Sequence, residues 1–310
     1  VTSAPVRLGP RRALRRRGPM APYLLVAPAV AVVLGILGWP LAQLVAISFQ
    51  RYGLAELIRH RGRWVGLDNY ASIVRDPDFW LVALRTTAFT AVTVLATMLI
   101  GVGLAFLLRR VRRLVKLLLT VTLVFVWATP VVVGVSMWQW LVDYEFGVVN
   151  WVLGRIGVDG FPRHNWFEDP VQGLAVVGAV VVWGAVPFVA ITVHAALSQV
   201  PEELREAAVI DGASAPQVAR LVTLPLIRPV LNLVVVLEII WNFQVFSQLW
   251  IMVGGRPTQD YQLFSVYAYT QSFGISQYGR GAAIAVVMVL ALAGLSVVYV
   301  RRMLATEATS

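Results

Sequence analysis

Residues 206–229 read EAAVIDGASAPQVARLVTLPLIRP, and how this stretch is read decides the architecture. It lies between two long apolar runs, yet it holds Glu206, Asp211, Gly212, Pro216, Pro225 and Pro229. The preceding residues, with Pro201 followed by Glu202 and Glu203, carry a helix start signal: a proline, acids in the first turn, then good helix formers. Asp211 and Gly212 suit a tight turn, because glycine takes positive φ without a steric cost. A helix restarts at Pro216, and Pro225 and Pro229 break or kink it before the next apolar run. The expected product is a short helix, a turn and a second short helix lying against a membrane surface. A plain connector would be shorter and less patterned, so this one asks for a partner.

The composition explains the membrane. Of 310 residues, 58% are hydrophobic and 14% charged, against about 25% charged in soluble domains. A bilayer-crossing helix needs about 20 apolar residues. Six segments qualify, at roughly 21–48, 86–108, 117–141, 171–198, 230–253 and 281–300. The first contains Pro22, Pro28 and Pro40, and the fifth contains one acid, Glu238. The expected fold class is therefore all-α, a polytopic membrane protein with six transmembrane helices. Its permease domain would span 21–305, preceded by an Arg-rich cytoplasmic tail (1–20) and followed by a short one (306–310). The uncharged run from Gly18 to Gln50 is too long for a signal-peptide core and reads as a retained first span.

The basic residues set the orientation. An even number of spans puts both termini on one side. The N-terminal tail, RRVRRLVK (109–116), the loop 199–229 and the C-terminal tail together carry sixteen basic residues against nine in the alternate loops. By the positive-inside rule both termini are cytoplasmic. The net charge of +10 thus belongs to topology and not to nucleic acid. The first outer loop opposes the trend with Arg51, Arg59, Arg61, Arg63 and Arg75.

Several activities are excluded. There is no Cys, so no disulfide scaffold and no thiolate metal site. His60, His164 and His194 show no metal-ligand spacing. A phosphate-binding loop needs a Gly-rich backbone ending in Lys-Ser/Thr, and Lys116 is the only lysine. The chain therefore binds no cofactor through these motifs and does not hydrolyse ATP through that loop.

The stretch 206–225 resembles the EAA loop of the permease subunits of binding-protein-dependent ABC importers. That motif is Glu-Ala-Ala, three residues, Gly, nine residues, then Ile-x-Leu-Pro. Here Glu206, Ala207, Ala208 and Gly212 match, Leu224 and Pro225 close it, and Val222 replaces the usual Ile. Asp211 and Ala213 flank the turn. WVGLDNYASIVRDPDFWLVALRTTAFT (64–90) and TPVVVGVSMWQWLVDYEFGVVNWVLG (129–154) look like segments of carbohydrate-importer permeases, of the first-permease type found in maltose and glycerol-3-phosphate importers. The resemblance implies the type I importer permease fold and a non-catalytic subunit of the bacterial inner membrane. It implies a second homologous permease, an extracytoplasmic binding protein and two ATPase subunits that hold ATP and Mg. Residues 201–229 would be the coupling loop that docks on the ATPase.

Glu238 is the only acid inside a span, and an intramembrane ionisable group is a functional candidate. Glu238, Trp241, Asn242 and Val245 share one helical face. An acid, an indole and an amide suit a sugar, whose hydroxyls need hydrogen-bond partners and whose apolar face stacks on an aromatic ring. The same resemblance places these residues, with Gly184, Ala185 and Phe188 of WGAVPF, on the translocation path. Three roles stay open for Glu238: binding sugar hydroxyls, meeting a cationic substrate group, or pairing with an Arg or polar residue of the partner permease. A non-carbohydrate solute is the alternative cargo. A proton-coupled transporter using Glu238 and His194 would leave the coupling loop unexplained. Asp143 and Glu145 read as outer-loop residues with no catalytic companions, and Trp138 and Trp140 as packing or interfacial anchors.

Overall fold

The computed structural model describes residues 21–158, 160–161 and 163–307. The expected tail at 1–20 and residues 308–310 lie outside them. The chain divides into two compact units, up to Ala46 and from Ile47 onward. In the first, α1 (Ala21–Val33) passes through a widened turn, Leu34–Gly38, into α2 (Trp39–Ser48). There the Trp39 N–H reaches back five residues to the Leu34 carbonyl. Proline cannot donate to the carbonyl four residues earlier, and Pro40 follows this turn, so the helix widens instead of breaking. Tyr23–Ser48 is long and apolar enough to cross a membrane.

The second unit opens with a ribbon absent from the sequence reading. Strands β1 (Gln50–Arg51) and β2 (Arg63–Trp64) pair antiparallel around α3 (Leu54–Ile58). Then come α4 (Asp68–Val74) and α5 (Pro77–Arg110). α5 begins well before the expected residue 86, because Asp76 caps it by accepting from the Asp78 N–H at 3.0 Å and Pro77 takes the first helical position. Its 34 residues extend about 50 Å, which separates what packs at its two ends.

Next are α6 (Arg113–Ala128), α7 (Val131–Leu141), α8 (Val148–Arg155) and α9 (Pro170–Ser198). The expected span 117–141 is a bent pair: α6 and α7 meet at 103°. Pro130 is the cause, since it disfavours helical backbone at the residue before it, and Thr129 is extended at φ −68°, ψ 124°. The remaining helices are α10 (Glu202–Ile210), α11 (Ala215–Val218), α12 (Leu224–Leu226), α13 (Arg228–Phe243), α14 (Ser247–Met252), α15 (Phe264–Tyr269) and α16 (Tyr278–Glu307). The expected span 230–253 is likewise interrupted after Phe243. Ala215–Leu226 and Arg228–Phe243 form a second bent pair, at 74°. Four helices are long and apolar enough to cross a membrane, and six spans result if each bent pair counts as one.

The α5–α9 pair is the spine. Thr86, Thr90, Thr93, Thr97, Gly101 and Ala105 form a buried stripe of small residues along α5. In lipid, small residues let helix backbones approach and add packing energy where the hydrophobic effect between helices is absent. Thr86 and Thr93 satisfy their hydroxyls on the carbonyls four residues back, at 2.7 and 2.8 Å. Gly101 marks a close approach, because a Cβ there would lie 2.6 Å from Val189 Cγ1. Gly101→Leu is expected to cost about 1–3 kcal/mol through overpacking, read as a lowered thermal midpoint of the detergent-solubilised chain.

Packing gathers into three clusters. One joins Phe89, Val135, Val177, Val181, Val245 and Leu249. Another, at the start of α5 and α16, holds Ile73, Phe79, Phe264 and Ile284. The third, at the far end of α5, holds Ala105, Val193, Leu197, Ile227 and Val234.

Candidate functional site

The first site is the loop 201–229. α10 ends in a two-bond cap: the Gly212 N–H bonds the Val209 carbonyl at 3.0 Å and the Ala213 N–H bonds the Ala208 carbonyl at 2.9 Å. This is the Schellman arrangement, which needs a left-handed residue at its corner. Gly212 supplies it at φ 84°. Open space surrounds the position a Cβ would take, so conformation alone demands the glycine. Ser214 restarts the chain through a capping box with Gln217, whose Oε1 accepts from the Ser214 N–H and hydroxyl at 2.7 Å each. Between α11 and α12 the helix widens at Ala219–Thr223, where the Leu224 N–H reaches the Ala219 carbonyl. Pro225 follows at once, and the wide turn absorbs its missing N–H.

The loop divides into an anchored side and a free side. Val218, Thr223 and Ile227 are buried, and Leu224 packs on the third cluster. Glu206, Ala207, Asp211 and Pro225 are exposed, while Ala208 and Ala213 are half-buried. Val209 and Ile210 are also exposed, the latter at 85%. The sequence analysis did not single out these two; apolar residues beside an EAA run and a turn were the available signal. Glu202, read from the sequence only as part of a helix start, has a further role. It accepts from Arg205 and pairs with Arg109 at 3.3 Å, tying the loop to the C-terminal end of α5.

The second site is a cavity of about 230 Å³. All seven residues expected on the path line it: Gly184, Ala185 and Phe188 from α9, Glu238, Trp241 and Asn242 from α13, and Val245 just beyond. Val234, Glu238 and Asn242 form the buried stripe of α13. Asn242 Nδ2 donates to the Glu238 carbonyl at 2.7 Å and to its Oε2 at 3.1 Å. Glu238 Oε1 and Asn242 Oδ1 are buried without a partner. Among the described residues no Arg reaches Glu238. Trp241 is 46% exposed and packs edge-on against Phe188, with ring centroids 5.0 Å apart. Trp127 and Trp183, both missed, add aromatic wall. Trp127 sits on α6, just before the Pro130 bend that the apolar pattern did not reveal, and Trp183 sits on α9. Two buried, unpaired acceptors thus lie in the cavity wall beside its aromatic residues.

Other candidates resolve structurally. His194 Nδ1 lies 3.4 Å from the Ala105 carbonyl, between α9 and α5. Asp143 Oδ1 accepts from the Glu145 and Phe146 N–H groups at 2.9 Å each, so it folds its own turn. Trp138 stacks edge-on against Trp183, whereas Trp140 is exposed. No group of His, Asp and Glu suited to a metal exists among the described residues.

At the opposite end of α5 from Glu202, Arg280 pairs with Asp76, and the Tyr267 hydroxyl donates to the same carboxylate at 3.1 Å. This triad joins α5, α15 and α16 across some 200 residues of sequence. Asp76→Ala strands Arg280 and removes the α5 cap. It should destabilise the chain by about 1–3 kcal/mol, measured as a fall in thermal midpoint.

A helix–turn–helix loop, a cavity among bent helices and helices long and apolar enough to span a bilayer are the features of a membrane transport subunit. Residues 97–308 match the family described as binding-protein-dependent transport system inner membrane component. The chain belongs to that family, and its part is transport and not catalysis. It is 43% identical over 296 residues to the diacetylchitobiose uptake system permease protein DasB of Streptomyces coelicolor, covering 96% of this chain and 90% of that one. It is 29% identical over 279 residues to the trehalose/maltose transport system permease protein MalF of Thermococcus litoralis, covering 90% and 92%. Its fold matches a chain in the crystal structure of a bacterial ABC transporter involved in import of the acidic polysaccharide alginate. There the TM-score is 0.75 at 20% identity, over 90% of this chain and 94% of that one.

Proposed function

We propose that this permease carries a saccharide or related polyol, and that the cavity beneath Glu238 is its half of the path. The carrying observation is the pairing of Glu238 Oε1 and Asn242 Oδ1, both unpartnered, with the aromatic surfaces of Trp241, Phe188 and Trp183. Buried acceptors without donors cost free energy unless a ligand supplies the donors. Sugar hydroxyls supply them, and the C–H face of a pyranose covers the indoles. The relatives named for diacetylchitobiose and for trehalose and maltose support the same class.

In this reading the domain 21–305 sits in the bacterial inner membrane with both termini cytoplasmic. A second, homologous permease completes the path, and an extracytoplasmic binding protein delivers the substrate. Two ATPase subunits hold ATP and Mg and receive the loop 201–229. Glu206, Ala207, Ala208, Asp211, Gly212 and Ala213 form the docking face, and Leu224 and Pro225 set the angle at which it meets the bundle. Exposed Val209 and Ile210 add apolar area to that contact. The Arg109–Glu202 pair, joining the loop to the 34-residue α5, offers a rigid route from the motor to the bundle.

The test is ATP hydrolysis by the complex reconstituted in lipid with the binding protein and partner chains encoded beside it. The panel is mono- and disaccharides, polyols and glycerophosphodiesters. Stimulation by one sugar or polyol is expected. Hydrolysis that responds only to another class of solute would move the cargo outside carbohydrates. Failure to assemble with any ATPase would overturn the coupling role.

A further inference from the structure

The outer loop that defies the positive-inside trend folds into a recess of about 750 Å³, on which the mechanism above makes no claim. Its wall is the β1–β2 ribbon, and the register sets Arg51 directly opposite Arg63. Like charges facing each other across two strands destabilise a ribbon, and an isolated two-stranded ribbon is marginal to begin with. Both side chains are exposed, and neither forms an ion pair among the described residues. Arg59, Arg61 and Arg75 are likewise exposed and unpaired among the described residues.

Three acids lie nearby. Glu56 is spent on the fold, its Oε2 accepting from the Gly53 N–H at 3.0 Å. Backbone N–H groups, its own and that of Gly53, hold its carboxyl below the usual range, with Arg51 and Arg59 adding to the effect. Asp68 opens α4, where its charge meets a helix N-terminus. Asp76 is committed to Arg280. With Asp76 paired to Arg280, the outer loop sets Arg51, Arg59, Arg61, Arg63 and Arg75 against Glu56 and Asp68, so an arginine excess remains in and around the recess.

The recess is also held in shape. Asn69 Nδ2 donates to the Ser48 and Gln50 carbonyls at 2.8 Å each, and the Gly279 N–H bonds the Tyr52 carbonyl at 3.0 Å. Around it Ile58, Trp64 and Leu67 are more than 60% exposed. Arginine and tryptophan beside an apolar rim is the composition of protein-binding hot spots. The recess sits at the N-terminal end of α5, and the loop tied to Arg109 sits at the other.

We propose that this recess is the seat for an acidic edge of the soluble binding protein, with carboxylates inserting between Arg51 and Arg63. The assignment rests on the importer reading above, which fixes the recess as extracytoplasmic. Guanidinium groups bind carboxylates in a fork geometry, and a third charge between them relieves the repulsion across the ribbon.

The decisive variant is Arg63→Glu. It sets opposite charges across the ribbon, so the thermal midpoint should hold or rise while docking weakens. No folding defect produces those opposite signs. The readout is the concentration of substrate-loaded binding protein giving half-maximal stimulation of ATP hydrolysis by the assembled importer in phosphatidylcholine nanodiscs. We expect it to rise about tenfold, the effect of losing one strong charge contact, with basal hydrolysis unchanged and a shallower salt dependence. Arg51→Gln/Arg63→Gln, which removes charge without reversing it, should show a smaller rise. An unchanged half-saturation in both variants would overturn the seat. So would an effect seen only when phosphatidylglycerol is added, which would make the recess a lipid site. A wild-type complex that no binding protein stimulates would overturn the importer reading instead, and this one with it.

Discussion

Gly212→Val should abolish coupled transport while leaving the permease assembled in the membrane. Gly212 stands at φ 84°, a conformation costly for an L-residue and most costly for a β-branched one. The space around its missing Cβ is empty, so the substitution clashes with nothing and acts only through the backbone. To escape the strain the turn must rearrange, which breaks the bonds from Gly212 to Val209 and from Ala213 to Ala208. The face carrying Glu206, Ala207 and Ile210 then loses its fixed angle to α11. Strain of about 1–3 kcal/mol is small beside a folding stability of about 5–15 kcal/mol, yet it is a sizeable fraction of the ~5.5 kcal/mol that switches a two-state equilibrium from 1:99 to 99:1. Uptake in vesicles is expected to fall at least ~10-fold. Substrate-stimulated hydrolysis should fall with it, and the amount of permease in the membrane should not change. Gly212→Asn, which tolerates the left-handed region better, should recover part of the activity. Unchanged transport in the valine variant would remove the turn from the coupling role.

That the loop was legible from its residues has a physical reason. Its structure is local: a proline start, a glycine corner and a second proline break act within a few residues of themselves. The helix, the turn and the restart were all readable in 201–229, and the structure adds the Ser214–Gln217 cap and the wide turn before Pro225. Apolar runs likewise announced the membrane bundle. What they could not announce was shape. Residues 117–141 are uncharged and largely apolar, so nothing in their hydropathy separates a straight span from two helices at 103°. Only the Thr129–Pro130 step carries that information. The β1–β2 ribbon was hidden because two residues per strand give no alternation to read. The Asp76–Tyr267–Arg280 triad was hidden because its members are joined only by the fold.

The cavity was legible for one helix face and not beyond it. Glu238, Trp241 and Asn242 follow from helical spacing, Val245 lines the space from just past the end of α13, and Trp127 and Trp183 reach it from α6 and α9. The spacing also overstated uniformity. Glu238 and Asn242 are buried, whereas Trp241 turns half outward against Phe188. Those differences matter for what a substitution tests. A change at Trp241 alters a stacking surface, whereas a change at Glu238 alters the acceptor set.

Glu238→Gln is expected to raise the substrate concentration needed for half-maximal uptake by about 10- to 100-fold, with assembly and basal ATP hydrolysis intact. The range follows from losing a hydrogen bond to a charged group, about 1.5–3 kcal/mol, converted at 1.4 kcal/mol per decade. The fold has little reason to respond. Asn242 keeps its bond to the carbonyl of residue 238, and no Arg among the described residues loses a partner. Glutamine preserves the side chain's volume, so the aromatic wall should not collapse. Glu238→Ala removes the acceptor and its bulk together, and should weaken uptake further. Substrate discrimination separates the roles open to this carboxylate. If it receives hydroxyls, both variants weaken every accepted sugar, and a deoxy analogue lacking the relevant hydroxyl loses little further. If it meets a cation, only basic substrates suffer. If it pairs across to the second permease, the variants lower the thermal midpoint of the assembled importer and leave half-saturation untouched. Normal uptake kinetics with a normal midpoint would take Glu238 out of both the path and the permease interface, leaving a buried carboxylate whose only bonds are to Asn242.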